Sequence, residues 1–444
     1  MLVNTHLLKL KLVLVLSILI FTTNSEAQNW SLKQCIDTAL VHNKTLKIAQ
    51  GDIEIANERN KEAKGGLVPK LYGNVDYRYY TDLPYQLLPA SVFGGPAGVY
   101  KEAQFGVPHN LNANLTLDVP LYNPQTIGAI TVSKRAKELN QIQFQQTEEQ
   151  VVFDVSNLYY NAQLVSNQIV FIKNGLSNSE KLLSNIQLLY SQQMAKGTDV
   201  DKIKLQQSQL NTQLSKANAQ YQQIINLLKL QLGITPSRPI TIEETFSTSS
   251  EVVKYTTKPT SDILLFNTKE LLLKSELKTL KLSHLPSFSL YGTYGTTGFG
   301  NYSGTNDFFK TYLIGFAGVK MSWMIFSGTT LEYKVFQKRE EIKQNTTRLE
   351  LLNDKQNVQI ENAQMQYEVA SSNLLNAKSQ LALAETIYSK TLIQQKEGVA
   401  SLTDVLLSDN TQKEAQQNYL SALVDVMKAD LELKKVSGNI LNTK

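Results

Sequence analysis

One plan is written twice in this chain of 444 residues: two segments of alternating polar and apolar residues, then a helix too long for a compact domain. The first copy has Pro69-Lys-Leu-Tyr-Gly-Asn-Val-Asp-Tyr-Arg-Tyr-Tyr80 and Leu111-Asn-Ala-Asn-Leu-Thr-Leu-Asp-Val-Pro-Leu121, and from Thr126 to Lys196 nothing clearly breaks a helical run but Gly175 in its interior, Gly128 falling in the first turn. The second has Pro286-Ser-Phe-Ser-Leu-Tyr-Gly-Thr-Tyr294 and Leu313-Ile-Gly-Phe-Ala-Gly-Val-Lys-Met-Ser-Trp323, then an unbroken run from Thr329 to Glu397. A repeat has to be read before any fold is assigned, because each copy is one structural unit. At a rise of about 1.5 Å per residue, the 71 residues from Thr126 to Lys196 make a helix of about 105 Å.

The first repeat is expected over residues 28–233, with strands at 67–80 and 111–122, a long helix at 125–196 and a shorter one at 199–232. A linker at 234–258 leads to the second repeat at 259–438, which opens on a helix. Strands at 286–294 and 312–326, a long helix at 329–397 and a last helix at 403–437 follow, and 439–444 form a tail.

The chain opens on an export signal, expected over residues 1–27. His6, Lys9 and Lys11 make a basic start, Leu12 to Phe21 is an apolar run of ten, and Ser25-Glu-Ala27 is a small-x-small cleavage site. A spanning helix needs about 20 apolar residues. No stretch reaches that, so the mature chain is read as exported and without transmembrane helices. Loss of a leader with two lysines and one glutamate takes the net charge from +5 to +4, no footprint for nucleic acid. The single Cys35 excludes an intrachain disulfide framework. It falls on the apolar face of a helix starting near Ser31, with Ile36, Ala39 and Leu40, and reads as a buried thiol.

In the first strand Leu71, Gly73, Val75, Tyr77 and Tyr79 share one face, against Tyr72, Asn74, Asp76, Arg78 and Tyr80. In the second, Leu111, Ala113, Leu115, Leu117, Val119 and Leu121 oppose Asn112, Asn114, Thr116, Asp118 and Pro120. Alternation of this kind gives a strand one apolar and one polar face, in a soluble sheet or in a membrane barrel. Three features favour the barrel: strands of about 10 residues, tyrosines crowded at one strand end, and export with no other membrane element. Four strands cannot close, since the smallest spanning barrels have about eight. Open edges are not tolerated in hydrocarbon. A spanning barrel must therefore be shared between chains, and three copies supply twelve strands. Asp82 to Pro108 and Gly295 to Thr311, rich in Gly, Pro, Asn and aromatics, read as the outward loops.

Val200, Ile203, Gln207, Leu210, Leu214, Ala217, Tyr221, Ile224 and Leu228 are spaced alternately by three and four, a coiled-coil seam. A shift of 205 residues gives Val405, Ser408, Gln412, Ala415, Tyr419, Ala422, Val426, Ala429 and Leu433, and both copies end in glycine, at Gly233 and Gly438. One long helix thus matches two shorter ones end to end, although Ser261 to His284 falls about ten residues short of its counterpart between Ser31 and Gly65.

These residues resemble the TolC-like outer-membrane efflux family. Trp30-Ser-Leu-Lys-Gln-Cys-Ile-Asp-Thr-Ala39 with Asn43 is similar to its opening helix. Leu117-Asp-Val-Pro-Leu-Tyr122 and Met321-Ser-Trp-Met-Ile-Phe-Ser-Gly328 are similar to its second-strand ends. Lys196-Gly-Thr-Asp-Val200 and Glu397-Gly-Val-Ala-Ser-Leu-Thr-Asp-Val-Leu406 resemble its two helix-turn-helix tips. The likeness spans essentially the whole mature chain. It implies an α+β membrane protein: a homotrimer with a twelve-stranded barrel in the bacterial outer membrane, continuing into a periplasmic α-helical coiled-coil tube. It implies a passive exit duct for tripartite efflux or type I secretion, serving an inner-membrane pump of RND or ABC type through a periplasmic adaptor. The adaptor would meet the tips, at Lys196, Gly197, Thr198, Glu397, Gly398 and Val399. Members constrict the tip with aspartates in an Asp-Val-Leu-Asp pattern, here Asp404-Val-Leu-Leu407. The implied gate is therefore an acidic ring at Asp404 backed by an apolar ring at Leu407, with Asp409 two residues on.

The residues alone leave two readings of Asp404. Three symmetry-related carboxylates around a narrow axis attract cations; Thr403 or Asp404 could equally serve only as helix N-cap, as the matching Thr198-Asp199 suggests. No enzyme is expected. The four histidines (His6, His42, His109, His284) are scattered, no nucleophile, Walker or paired-Cys motif occurs, and no cofactor or metal is implied. Gly292 to Gly300 is glycine-rich but leaves a strand for a loop, without the helix that a phosphate cradle needs. The alternative to the duct is an exported structural or adhesive coiled-coil protein without channel activity.

Overall fold

The structure, a computed structural model, describes residues 29–246, 255–302, 304 and 307–443. The expected export signal and residues 247–254 of the linker lie outside them. Two compact units are formed. One takes in residues up to Gly51 with Ile142–Leu264 and everything from Glu350 onward; the other comprises Asp52–Gln141 and Leu265–Leu349.

In chain order the elements are β1 (Asn29–Trp30), α1 (Leu32–His42), α2 (Lys44–Gly65), β2 (Lys70–Tyr79), β3 (Tyr85–Pro89), β4 (Tyr100–Gln104), β5 (His109–Tyr122), α3 (Pro124–Ser191), α4 (Gly197–Leu232), β6 (Thr241–Ile242), α5 (Ser261–Leu282), β7 (Ser287–Asn301), β8 (Phe308–Ser322), α6 (Thr330–Lys396) and α7 (Leu402–Val436). None of the described helices is long and apolar enough to cross a membrane.

The helical unit is built on heptad-like packing. Val152, Val155, Tyr159 and Ala162 of α3 meet Cys35, Ile36 and Ala39 of α1 and Leu228 and Leu232 of α4, all buried. Each large aliphatic removed from water this way contributes about 1.5–3 kcal/mol. Cys35 is fully buried, and burial, with Glu243 nearby, pushes its thiol up to about 12, so it is an inert core residue. Asn43 breaks the opening helix in two. Its backbone N–H closes α1 on the Ala39 carbonyl at 2.8 Å, while its side-chain oxygen accepts from the Thr45 N–H at 2.8 Å and so starts α2. The linker begins on this core: Thr241 pairs with Asn29, and Gln163 donates to the Glu243 and Thr245 carbonyls at 2.9 and 3.0 Å. Ile440, in the segment read as a tail, is buried in the same core.

The shortfall of the second repeat is explained here. α2 and α5 both have 22 residues, and α1 is the element that the second copy lacks. Gly233 and Gly438 play one role twice. Both adopt left-handed φ, 66° and 70°, and both press on the backbone just before those helices, at His42–Asn43 and at Lys258–Pro259. A side chain at either position would be strained and would collide.

In the other unit β2, β5, β7 and β8 form one antiparallel sheet in that order. The second repeat departs from its expected bounds. β7 runs to Asn301, so Gly292 to Gly300 is strand rather than the start of a loop, and β8 begins at Phe308 and ends at Ser322. Cross-strand packing decides this: Gly295 lies against the Ala113–Asn114 backbone, and Gly298 and Gly300 against the Phe309 ring, where larger side chains would not fit. In the first repeat, Asp82 to Pro108 is not all loop, since β3 and β4 pair as a separate hairpin.

Helix bounds shift as well. α3 ends at Ser191, short of 196, because Gln193 takes a left-handed φ of 62° and the Met194 N–H turns back to the Leu189 carbonyl at 2.8 Å. No glycine signals that stop. α4 starts at Gly197, two residues ahead of its expected start.

Candidate functional site

Register sorts the sheet into two unlike faces. Leu71 pairs with Leu117, Leu117 with Gly292, and Gly292 with Ala317; Val75, Ala113, Thr296 and Leu313 form another such row. This face is apolar and bare, with Val75 77% and Leu313 75% exposed. The opposite face carries the row Asn74, Asn114, Gly295 and Ile314, and the row Tyr72, Thr116, Thr293 and Phe316, in which the two threonine hydroxyls bond at 3.1 Å. Neither β2 nor β8 has a partner on its outer edge among the described residues. An unpaired four-stranded sheet with a continuous exposed apolar face marks a membrane or protein contact. Where the apolar face meets the connection from Asp82 to Pro108, Tyr77 Oη lies 2.6 Å from His109 Nδ1, and the Tyr79 and Tyr302 rings lie 4.8 and 5.0 Å from that imidazole. Such an aromatic cluster suits a membrane–water interface.

The helix tips are built alike. At the α6–α7 turn Gly398 has φ 78°, and Ser401, not Thr403 or Asp404, is the N-cap of α7. Ser401 Oγ accepts from the Asp404 N–H at 3.3 Å, and the Asp404 carboxylate accepts from the Ser401 N–H at 2.9 Å and hydroxyl at 2.7 Å. Those bonds, the hydroxyl's foremost, hold the Asp404 carboxyl below its ordinary range. At the α3–α4 turn Lys196 occupies the cap position, and its N–H donates to the Asp199 carboxylate at 3.4 Å, so Thr198 is not a cap there either. The third helical residue is thus acidic at both tips.

Beneath the turns Ile186, Val200, Ile203, Tyr388, Leu402 and Val405 make one core that joins the two helical hairpins. Asp404 and Leu407 are exposed on the opposite side of α7, three residues apart, with Leu407 67% exposed. Lys196, Thr198, Glu397, Gly398 and Val399 are exposed, and Gly197 is half-buried beside the Tyr190 ring. Asp409, the acidic residue nearest the unmatched position of the family pattern, faces inward instead. Its carboxylate accepts from Gln206 of α4 and from Lys413, tying the hairpins together. Burial, with that charge, pushes the Tyr388 hydroxyl up to about 12. Sequence reasoning missed this latch, since only the packing of α4 on α7 brings Gln206 to Asp409.

No group of three or more potential metal ligands occurs among the described residues. No protein-family profile matches the sequence, and no curated protein matches it. The fold does have solved counterparts. The outer membrane protein VceC from Vibrio cholerae superposes with a TM-score of 0.69 at 14% identity, over 92% of this chain and 96% of VceC. CusC, whose structures bear on transmembrane channel formation, gives 0.72 at 14%, over 93% and 95%. The Campylobacter jejuni outer membrane channel CmeC gives 0.69 at 14%, over 92% and 85%. The chain therefore has the fold of the TolC-like outer-membrane channels. The proteins it resembles are channels, not enzymes.

Proposed function

We propose that this chain is the outer-membrane exit duct of a tripartite efflux or type I secretion system, working as a homotrimer. The observation that carries the reading is the sheet: an apolar face bare of protein, a polar face rich in asparagine and threonine, and two open edges. Backbone groups on an open edge cannot face hydrocarbon, so β2 of one chain has to meet β8 of the next, and three chains close a twelve-stranded barrel. A soluble scaffold would have to cover that face with something, and no described segment does so. Export through a leader at residues 1–27 and a helical tube reaching into the periplasm belong to the same reading.

At the tube's end the exposed Asp404 and Leu407 form the constriction, and Asp404 serves as cap partner and pore lining at once. The exposed residues Lys196, Thr198, Glu397, Gly398 and Val399, with Gly197 among them, receive a periplasmic adaptor, through which an RND or ABC pump in the inner membrane supplies the energy. In-cell photo-crosslinking from Thr198 and Val399, followed by mass spectrometry, tests this. Products with a periplasmic adaptor are expected. Their absence in cells that hold the folded protein would remove the duct's route of supply and leave a structural coiled-coil protein as the better account.

A further inference from the structure

The polar face of the sheet is divided. Its first-repeat half, on β2 and β5, is mostly amide, hydroxyl and charge, with Tyr72 its one aromatic ring between Lys70 and Arg78. Its second-repeat half carries Tyr291, Phe299, Tyr312, Ile314 and Phe316, large apolar side chains on a wall that would otherwise be polar. They are grouped in space: Tyr291 and Phe316 meet edge to face with centroids 6.2 Å apart, and Phe299 and Tyr312 are also at 6.2 Å. The Tyr291 ring lies over Gly318, where a side chain would come within about 3.0 Å of it. Covering a strand glycine with a ring stabilises sheets, which accounts for Tyr291 but not for Ile314 or Phe316.

The charge on this half has one sign. β7 has no charged residue, and β8 has only Lys310 and Lys320, both on the polar face. Neither lysine forms an ion pair among the described residues, whereas Asp76, across the face on β2, is held by Arg78 at 2.5 Å. Tyr291 pairs with Asp118 and stands one row from the Ser289–Lys320 pair, and these three neighbours, with Lys70 and Tyr72, line a concavity of about 230 Å³. Two ammonium groups thus face one carboxylate at the end of an aromatic platform.

We propose that Tyr291, Phe316 and Lys320 form a subsite for organic anions with a flat apolar body. The body packs on the two rings, and the carboxylate or sulfonate meets the Lys320 ammonium, with Lys70 at the far side of the concavity. A cation would face two lysines with only Asp118 to offset them. A small inorganic anion would leave the rings without a role. The inference rests on the polar face being the channel wall.

The test is equilibrium binding of naphthalene-2-sulfonate to the full-length protein in lipid nanodiscs, read by fluorescence anisotropy, beside conductance of the same protein in planar bilayers. Saturable binding is expected, displaced at least about tenfold less well by methanesulfonate, which lacks the ring, and by naphthylmethyl-trimethylammonium, which has the wrong charge. Lys320→Gln and Phe316→Ser should each weaken binding by about tenfold. Phe316→Leu keeps the bulk without the ring, and should weaken it too if Phe316→Ser fails to assemble. Equal displacement by either comparator, or binding unchanged in Lys320→Gln and Phe316→Leu, overturns the proposal. Conductance without binding would defeat the subsite alone; binding without conductance would defeat the duct and, with it, the placing of this anion site on a channel wall.

Discussion

Asp404 combines a capping role with exposure to the surroundings of the tip. Its three bonds with Ser401 hold the first turn of α7, and the same carboxylate remains exposed beside Leu407. Because its folded pKa is lowered, the cap contributes stability above the unfolded value of 3.8, and that contribution is lost as pH falls through the lowered value. Asp404→Asn should therefore lower the melting temperature at pH 7, and the gap from the parent should close in acid below the ordinary carboxylate range. A gap that persists there would mean that the ionised cap is not what the substitution removes. The alternation and spacing of residues did not reveal Ser401 as the cap, because Thr403 and Asp404 are equally good capping types. Choosing among three candidates within four residues takes the backbone dihedrals of the turn.

At the scale of elements, the strands carry the sharpest consequence. Leu115 stands on the apolar face between Gly73 and Tyr294, while its neighbour Asn114 stands on the polar face between Asn74 and Gly295. In a lipid-facing barrel, Leu115→Lys should cost about 2–4 kcal/mol near the midplane and Asn114→Lys far less. Heat-modifiable migration of the membrane fraction reads the difference, and equal tolerance of the two would count against the barrel. The period-two pattern was legible for β2 and β5, where leucines and asparagines alternate. For β7 and β8 it found the strands but not their extent: glycine and threonine fill Gly292 to Gly300 and imitate a loop, and β8 carries Ile314 and Phe316 on its polar face. Only pairing with β5 on one side and β8 on the other holds that glycine-rich segment extended. The hairpin of β3 and β4 was hidden for a similar reason, since Pro89 at the end of β3 and Gly94, Gly95 and Pro96 after it read as turn throughout.

At the scale of the whole molecule, the open edges at β2 and β8 demand partners, and the chain contains none among its described residues. Native mass spectrometry of the detergent-extracted protein should give the mass of three chains. A monomer that stays stable and membrane-bound would require another way to satisfy those edges. The same logic of missing partners applies inside the chain, where the second repeat does without α1 and instead has the Lys258 and Thr256 carbonyls accepting from Gln356 of α6 and from Asn439 just past α7.

The sequence by itself determined the duplication, the long helices, the two-faced strands and the glycines that close each repeat. All of these are written in local periodicity and in backbone conformations that only certain residues adopt. Tertiary structure alone decided where Asn43 splits the opening helix, that Asp409 turns inward to Gln206, how far β7 extends, and that the polar face divides into amide and aromatic halves. Each of these depends on which distant residue lies across a strand or helix, and a contact between residues 200 apart leaves no period in the chain.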